Sequence, residues 1–143
     1  MRTVAFLGAA DDPLGWVEPL RELGWVEGRN LALVRRSAEE PDALARHARE
    51  FVDRNVDVIV TDGTSAARAA KAATPRIPIV MAAVGDPVAT GLVASYAHPG
   101  GNVTGYAILS AETAAKRAEL VHELLPAATM WPWSWTRTVA CIR

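Results

Sequence analysis

The chain has 143 residues, half of them hydrophobic, a length that fits one domain with a substantial core. Its 15 lysines and arginines balance 16 acids, which excludes a basic surface that would recruit nucleic acid. The single cysteine, Cys141, excludes a disulfide framework, and we expect neither a metal nor a cofactor. No apolar run approaches the roughly 20 residues that span a bilayer, and the N-terminus does not look like a secretory signal. As written, the chain is therefore expected to be cytoplasmic.

Strands and helices are predicted to alternate along the first part of the chain. Thr3 to Leu7 is a first strand, and Leu14 to Leu23 has helical spacing, although Pro19 would normally kink a helix. Leu31 to Arg35 is a second strand. The acids and the proline of residues 39–42 then open an amphipathic helix.

The second part of the chain continues this alternation. Val56 to Thr61 is a third strand, followed by an alanine-rich helix from Ala66 to Ala73. The apolar run from Ile79 to Val84 has the length of a strand buried on both faces. After it, Asp86 is predicted to cap a short helix, and Val103 to Tyr106 forms a fifth strand.

A last helix is predicted from Ser110 to Leu125, closed by Pro126. Five strands that alternate with helices at this spacing imply an α/β fold with a doubly wound, parallel five-stranded sheet. Right-handed crossovers place helices on both faces of such a sheet.

Ligands bind to sheets of this kind outside the carboxyl ends of the strands. Helix N-termini there offer unpaired N–H groups to a carboxylate, hydroxyl groups add further donors, and an aspartate accepts from an ammonium group. These groups suit a zwitterion such as an amino acid. In a second interpretation, Thr64 and Asp86 are plain helix caps. The candidate binding residues are Ala10, Asp11, Thr64, Ser65 and Asp86.

Catalysis receives little support from the sequence, and we predict that the chain is not an enzyme. The three histidines suggest no catalytic triad, and no glycine-rich phosphate loop follows the first strand. The alternative is a small receiver- or hydrolase-like enzyme that uses Asp11 and Asp12, which follow the first strand as the acidic pockets of those folds do. Phosphorylation that depends on magnesium would support that alternative.

An ordered set of motifs resembles the substrate-binding proteins of a bacterial ABC uptake family whose best-known members bind tryptophan and related amino acids. The resemblance covers roughly residues 2 to 126. The motifs, in chain order, are Gly8-Ala9-Ala10, Leu23-Gly24-Trp25-Val26-Glu27-Gly28-Arg29-Asn30, Val56-Asp57-Val58-Ile59-Val60-Thr61, Gly63-Thr64, Gly85-Asp86-Pro87-Val88, Gly91-Leu92-Val93-Ala94-Ser95 and Pro99-Gly100-Gly101-Asn102-Val103-Thr104-Gly105.

The resemblance implies a periplasmic-binding-protein fold of type I, in which two lobes joined by a hinge close on a small ligand. This chain would be the amino-terminal lobe, and its partner would be an ABC permease. Family members are typically periplasmic or lipid-anchored. A lone lobe leaves exposed the surface that would face the second lobe, so we expect it to self-associate.

The segment after Pro126 departs from the family pattern. It reads Met130-Trp131-Pro132-Trp133-Ser134-Trp135, which has neither strand nor helix periodicity. Back-translation in another reading frame gives the hydrophobic strand that the family has at this place. We therefore predict a frameshift near Thr129, with an amino-terminal lobe over residues 1–126 and a non-family tail over residues 127–143. The alternative is a natural hydrophobic tail used for association.

Overall fold

The structure is a computed structural model that describes residues 1–9, 15, 17–108, 116 and 119–124. The chain divides into two compact units, Met1–Ser110 and Ala111–Arg143. Within the described part of the first unit the elements are β1 (Arg2–Gly8), α1 (Val17–Glu22), β2 (Leu31–Ser37), α2 (Pro41–Asp53), β3 (Val58–Asp62), α3 (Thr64–Ala73), β4 (Ile79–Val84) and β5 (Val103–Ala107).

The five strands form one parallel sheet in the order β2-β1-β3-β4-β5, which confirms the predicted doubly wound α/β fold. From β1 the chain moves to β2 at the edge of the sheet, and it then crosses back past β1 to reach β3. The strand order therefore reverses between β1 and β3. In open sheets of this type, the carboxyl ends of two such strands border the ligand-binding crevice.

The main hydrophobic core lies between one face of the sheet and the helices α2 and α3. Ala5 and Ile59, which pair in register, are fully buried on this face. Phe51 of α2 fills the layer above them, and Ala67 and Ala70 of α3 bring their helix close to the strands because their side chains are small.

The opposite face of the sheet carries α1. Val4 and Val58 pair in register and, with Leu20 and Trp25, line a cavity of about 350 Å³. Because Leu20 belongs to α1, helices lie on both faces of the sheet, as predicted. Arg2, near the amino end of β1, also lines the cavity, so the cavity lies at the end of the sheet opposite the carboxyl ends of the strands.

Helix α1 is shorter than predicted, and Pro19 does not kink it. Pro19 is the third residue of the helix, where a backbone N–H would have no intrahelical acceptor, so the missing donor costs little. Gly24, with a φ of 86°, ends the helix. The N–H of Trp25 donates to Leu20 O and that of Gly24 to Arg21 O, the paired hydrogen bonds of a Schellman motif.

The prediction of a short helix after Asp86 is wrong. The chain forms a single turn over residues 87–91, in which the N–H groups of Leu92 and Val93 both donate to Pro87 O, at 2.8 and 3.1 Å. Gly91, with a φ of 70°, reverses the chain and lets Leu92 and Val93 enter the core. Lys71 Nζ then holds the turn through Gly91 O and Leu92 O.

A bulge interrupts the ladder between β4 and β5. The pairing shifts between Met81 and Val84, and Ala83 has a φ of 55°. Such a bulge bends the strand and redirects the residues that follow it. Here the next residues are Gly85 and Asp86, so the bulge sets the direction of the loop that carries Asp86, a predicted binding residue.

Several predictions fall on residues outside the described ranges. The helix predicted from Ser110 to Leu125 is described at Lys116 and at residues 119–124, which are helical. The frameshifted tail and the boundary at residue 126 lie outside the described residues and stay predictions.

Thr61→Val is expected to raise the free energy of unfolding by about 1 kcal/mol. Thr61 is fully buried between Leu7 and Met81 of the neighbouring strands, and its hydroxyl makes no hydrogen bond within the described part of the chain. A valine of the same shape removes this buried polar group. Urea unfolding of the two proteins measures the difference.

Thr74→Val is the matched control. Thr74 is also buried, but its Oγ1 accepts from the N–H groups of Arg76 and Ile77, each at 3.2 Å. We expect this substitution to lower the free energy of unfolding by about 1–2 kcal/mol. An equal loss in both variants would show that the Thr61 hydroxyl also has a partner.

Candidate functional site

The strand order brings two segments together at the carboxyl end of the sheet. One is the carboxyl end of β1 at Gly8, and the other runs from Asp62, the last residue of β3, to Ser65 in the first turn of α3. Ala10 and Asp11, predicted to contact the ligand, follow β1 in the chain but lie outside the described residues. The described part of the site is therefore built mainly by the β3–α3 connection.

Helix α3 begins with free polar groups. Gly63 is its N-cap, with a φ of 85° and no side-chain cap, and the Gly63 N–H donates to Ala82 O at 3.1 Å. Thr64 is the first residue of the helix, so the interpretation of Thr64 as the cap is wrong. The hydroxyls of Thr64 and Ser65 make no hydrogen bond to other described residues. With the N–H groups of the first turn, they can donate to an anion such as a carboxylate.

Gly8 permits a close approach between β1 and β3 at this edge. A Cβ atom at Gly8 would lie 3.0 Å from Asp62 Cβ and 3.0 Å from Phe6 Cζ, tighter than side chains normally pack. The backbone of Gly8 is fixed from the other side, because its carbonyl accepts from the Ala38 N–H at 2.9 Å. A larger residue at position 8 would require Asp62 or Phe6 to move by a few tenths of an ångström.

Asp86 does cap the turn that follows it. Its Oδ1 accepts from the N–H groups of Val88 and Ala89, at 3.0 and 2.9 Å, and the Tyr96 hydroxyl lies 3.5 Å from the same oxygen. The other oxygen, Oδ2, accepts no hydrogen bond from the described residues. The capping interpretation is thus confirmed for Oδ1, and Oδ2 has the capacity to accept from a ligand.

Asp62 is not among the candidate residues that the sequence predicts. It is the last residue of β3 and is half-buried. The alternation along the strand puts its side chain on the face of Val58 and Val60, opposite Ile59. A polar residue that ends an otherwise apolar strand was the available signal, but its proximity to Gly8 depends on the strand order.

The described residues whose pKa is displaced lie away from the carboxyl ends of β1 and β3. The pKa of Glu50 is lowered mainly by its hydrogen bonds from Arg36, at 2.9 and 2.5 Å, and the pKa of Arg36 is raised by the same pair. The pKa of Asp57 is lowered by the Thr3 N–H and by Arg2. A carboxyl group whose pKa is lower in the folded than in the unfolded chain stabilises the fold at any pH above the unfolded-state pKa. This stabilisation is lost as the pH falls through the folded-state pKa. These pairs support the fold rather than a site.

Within the described ranges, no group of three or more histidine, cysteine, aspartate or glutamate side chains is placed to hold a metal ion. No helix among the residues described is both long and apolar enough to cross a membrane.

Hydroxyls, first-turn N–H groups and carboxylates at the switch point of a parallel sheet are typical of domains that bind small polar ligands. The comparisons with known proteins agree with that class. The model of the ABC transporter substrate-binding protein family matches residues 9–130, and the chain belongs to this family.

Individual relatives support the assignment. The chain is 39% identical, over 116 residues, to the tyrosine-binding protein of Clostridioides difficile. A crystal structure of a conserved domain protein from Vibrio cholerae superposes with a TM-score of 0.80 at 36% identity, over 90% of this chain. An ABC domain from Streptococcus pneumonia in complex with L-Trp superposes with a TM-score of 0.69 at 27% identity, over 74% of this chain.

The chain spans only part of each of these relatives. It covers 33% of the length of the tyrosine-binding protein, 45% of the Vibrio cholerae protein and 38% of the protein bound to L-Trp. This coverage agrees with the prediction that the chain corresponds to one lobe of a two-lobed protein.

Proposed function

We propose that the chain is the amino-terminal lobe of the solute-binding component of an ABC uptake system, and that it binds an amino-acid ligand at the carboxyl ends of β1 and β3. The observation that carries this proposal is the strand order β2-β1-β3-β4-β5 in a chain of this family, because it places the start of α3 at the switch point. The names of two relatives, one tyrosine-binding and one bound to L-Trp, favour an amino acid, and an aromatic one in particular.

The proposed site holds the two charged groups of the ligand separately. Thr64 and Ser65, with the first N–H groups of α3, donate to the carboxylate, and Asp86 Oδ2 accepts from the ammonium group. Ala10 and Asp11 complete the site from the loop after β1. A second lobe then closes on the ligand by hinge motion and presents it to a permease, so binding is the whole mechanism and no bond is made or broken. We propose that the complete protein works outside the cytoplasm, as is typical of the family.

Two substitutions of Asp86 separate its capping role from its role in binding. Asparagine caps a helix or turn about as well as aspartate, so Asp86→Asn should keep the stability but lose the charge that attracts an ammonium group. Its affinity for L-tryptophan or L-tyrosine is expected to fall about ten- to a hundred-fold. Asp86→Ala should show the same loss of affinity and also lower the free energy of unfolding by about 1 kcal/mol.

Calorimetric or NMR titration, combined with thermal unfolding of each variant, measures both effects. An unchanged affinity in Asp86→Asn, together with lowered stability in Asp86→Ala, would show that Asp86 is a cap alone. In that case the ligand's ammonium group lies elsewhere.

We also propose that the lone lobe self-associates through the side of the sheet formed by β4 and β5. β5 is an edge strand, and Tyr106 on it is 71% exposed. Tyr96, Val88 and Ile108 are exposed apolar residues near the carboxyl ends of the same strands. Apolar patches and free strand edges favour association. A monomeric sedimentation coefficient over a wide concentration range would contradict this.

A further inference from the structure

Asp62 differs from the other described carboxylates that lie next to the sheet. Asp57, at the amino end of β3, is bonded by Arg2 and by the Thr3 N–H, at 2.6 and 2.7 Å. Glu27 is paired with Arg35, and Asp86 caps its turn. Each of these carboxylates therefore has a structural role, because it bonds to other residues of the fold.

Asp62 has no such partner among the described residues, although it is half-buried. Its carboxylate accepts no hydrogen bond and forms no ion pair there, and its Cβ is held beside the end of β1 by the close approach at Gly8. Asp62 ends β3 at the switch point, two and three residues before the hydroxyls of Thr64 and Ser65. A carboxylate without a partner there is able to accept hydrogen bonds from a ligand.

We infer that Asp62 is a second acceptor for the ammonium group of the ligand, and that it selects amino acids over the corresponding carboxylic acids without an amino group. This inference rests on the proposed function. An α-ammonium group carries three N–H donors, whereas Asp86 offers only Oδ2, because its Oδ1 is already engaged. Asp62, one residue before the N-cap of α3, can accept a further N–H while the ligand's carboxylate stays at the start of that helix.

The test compares two ligands that differ only in the amino group. L-tryptophan and its deamino analogue, indolepropionate, are titrated by heteronuclear NMR into the 143-residue chain and into Asp62→Asn. We expect Asp62→Asn to lower the affinity for L-tryptophan about ten-fold or more. Its affinity for indolepropionate should be unchanged or higher, because a negative charge that would repel the carboxylate has been removed. Its melting temperature should not fall.

Asp53→Asn is the matched control. Asp53 is an exposed aspartate at the end of α2, away from the switch point, so this variant should bind both ligands as the unchanged chain does. It reports the effect of removing one negative charge from the whole domain.

The other outcomes overturn the inference in distinguishable ways. If Asp62→Asn lowers the affinity for neither ligand, or for both equally, Asp62 does not bind the ammonium group. The proposed function still stands in that case if Asp86→Asn lowers the affinity for L-tryptophan. A fall in melting temperature together with lost binding would assign Asp62 a structural role. If L-tryptophan and L-tyrosine shift no amide near Thr64 and Ser65 in the unchanged chain, the proposed function fails and the inference fails with it.

Discussion

Gly105→Ala is expected to lower the free energy of unfolding by more than about 3 kcal/mol, the largest effect of any substitution considered. A Cβ atom at Gly105 would lie 2.7 Å from Met81 N and closer still to Met81 O. These are backbone atoms of the neighbouring strand, so no side-chain rotation can relieve the clash. The φ of Gly105, 133°, is also one that alanine rarely adopts.

The strand β5 must therefore separate from β4 or shift its register to accept a methyl group. Because the bulge in β4 faces Gly105, such a shift would also move Val84 and the loop that carries Asp86. Urea unfolding followed by circular dichroism measures the loss.

Gly101→Ala is the matched control for this experiment. Gly101 lies four residues earlier, and a Cβ atom there would meet no atom within 4 Å. Its φ is not in the left-handed region, so we expect a change within about 0.5 kcal/mol. Similar stabilities for Gly105→Ala and Gly101→Ala would show that β4 and β5 are not paired as described.

Asn102→Asp is expected to lower the free energy of unfolding by about 2–4 kcal/mol. Asn102 Nδ2 donates to Thr74 O at 2.9 Å and to Ile77 O at 2.8 Å, and thereby joins the start of β5 to the loop between α3 and β4. Aspartate has the same shape, but it presents an oxygen where the amide presents two hydrogens. Both carbonyl groups then lose their donor and face a negative charge.

Two further variants complete this test. Asn102→Ala removes the donor without adding a charge, so its loss should be smaller than that of Asn102→Asp. Asn55→Asp is the control, because Asn55 is exposed, has a φ of 50° that aspartate also tolerates, and uses its side chain for no hydrogen bond within the described residues. Asn102→Asp with the stability of the unchanged chain would show that this amide does not join the two loops.

Many residues that make the family recognisable in this sequence have structural roles. Asn30 donates to Gly24 O and accepts from the Val26 N–H, and so closes the loop before β2. Asn102 and Gly105 hold β5 in place. The ordered motifs are therefore explained mainly by the fold, so they identify the family without identifying a ligand.

The sequence by itself determined the fold class and most of the elements. The run from Ile79 to Val84 was predicted with the bounds that β4 has, because a strand buried on both faces needs apolar residues without alternation. The helix after Pro41 followed from its acids, its proline and its apolar face. Thr64, Ser65 and Asp86 were found as candidates because each lies directly after or just beyond the end of an apolar strand.

Only the tertiary structure decided how these pieces meet. Asp62 gains its place beside Gly8 from the pairing of β1 with β3, which joins residues more than 50 positions apart. The turn after Asp86 replaces the predicted helix because Lys71, Leu92 and Val93 anchor it to α3 and to the core. Periodicity and capping are local properties that the sequence displays directly. The capping bonds from Val88 and Ala89 to Asp86 are local as well. The pairing that places Asp62 beside Gly8 is made across the sheet, and no local pattern encodes it.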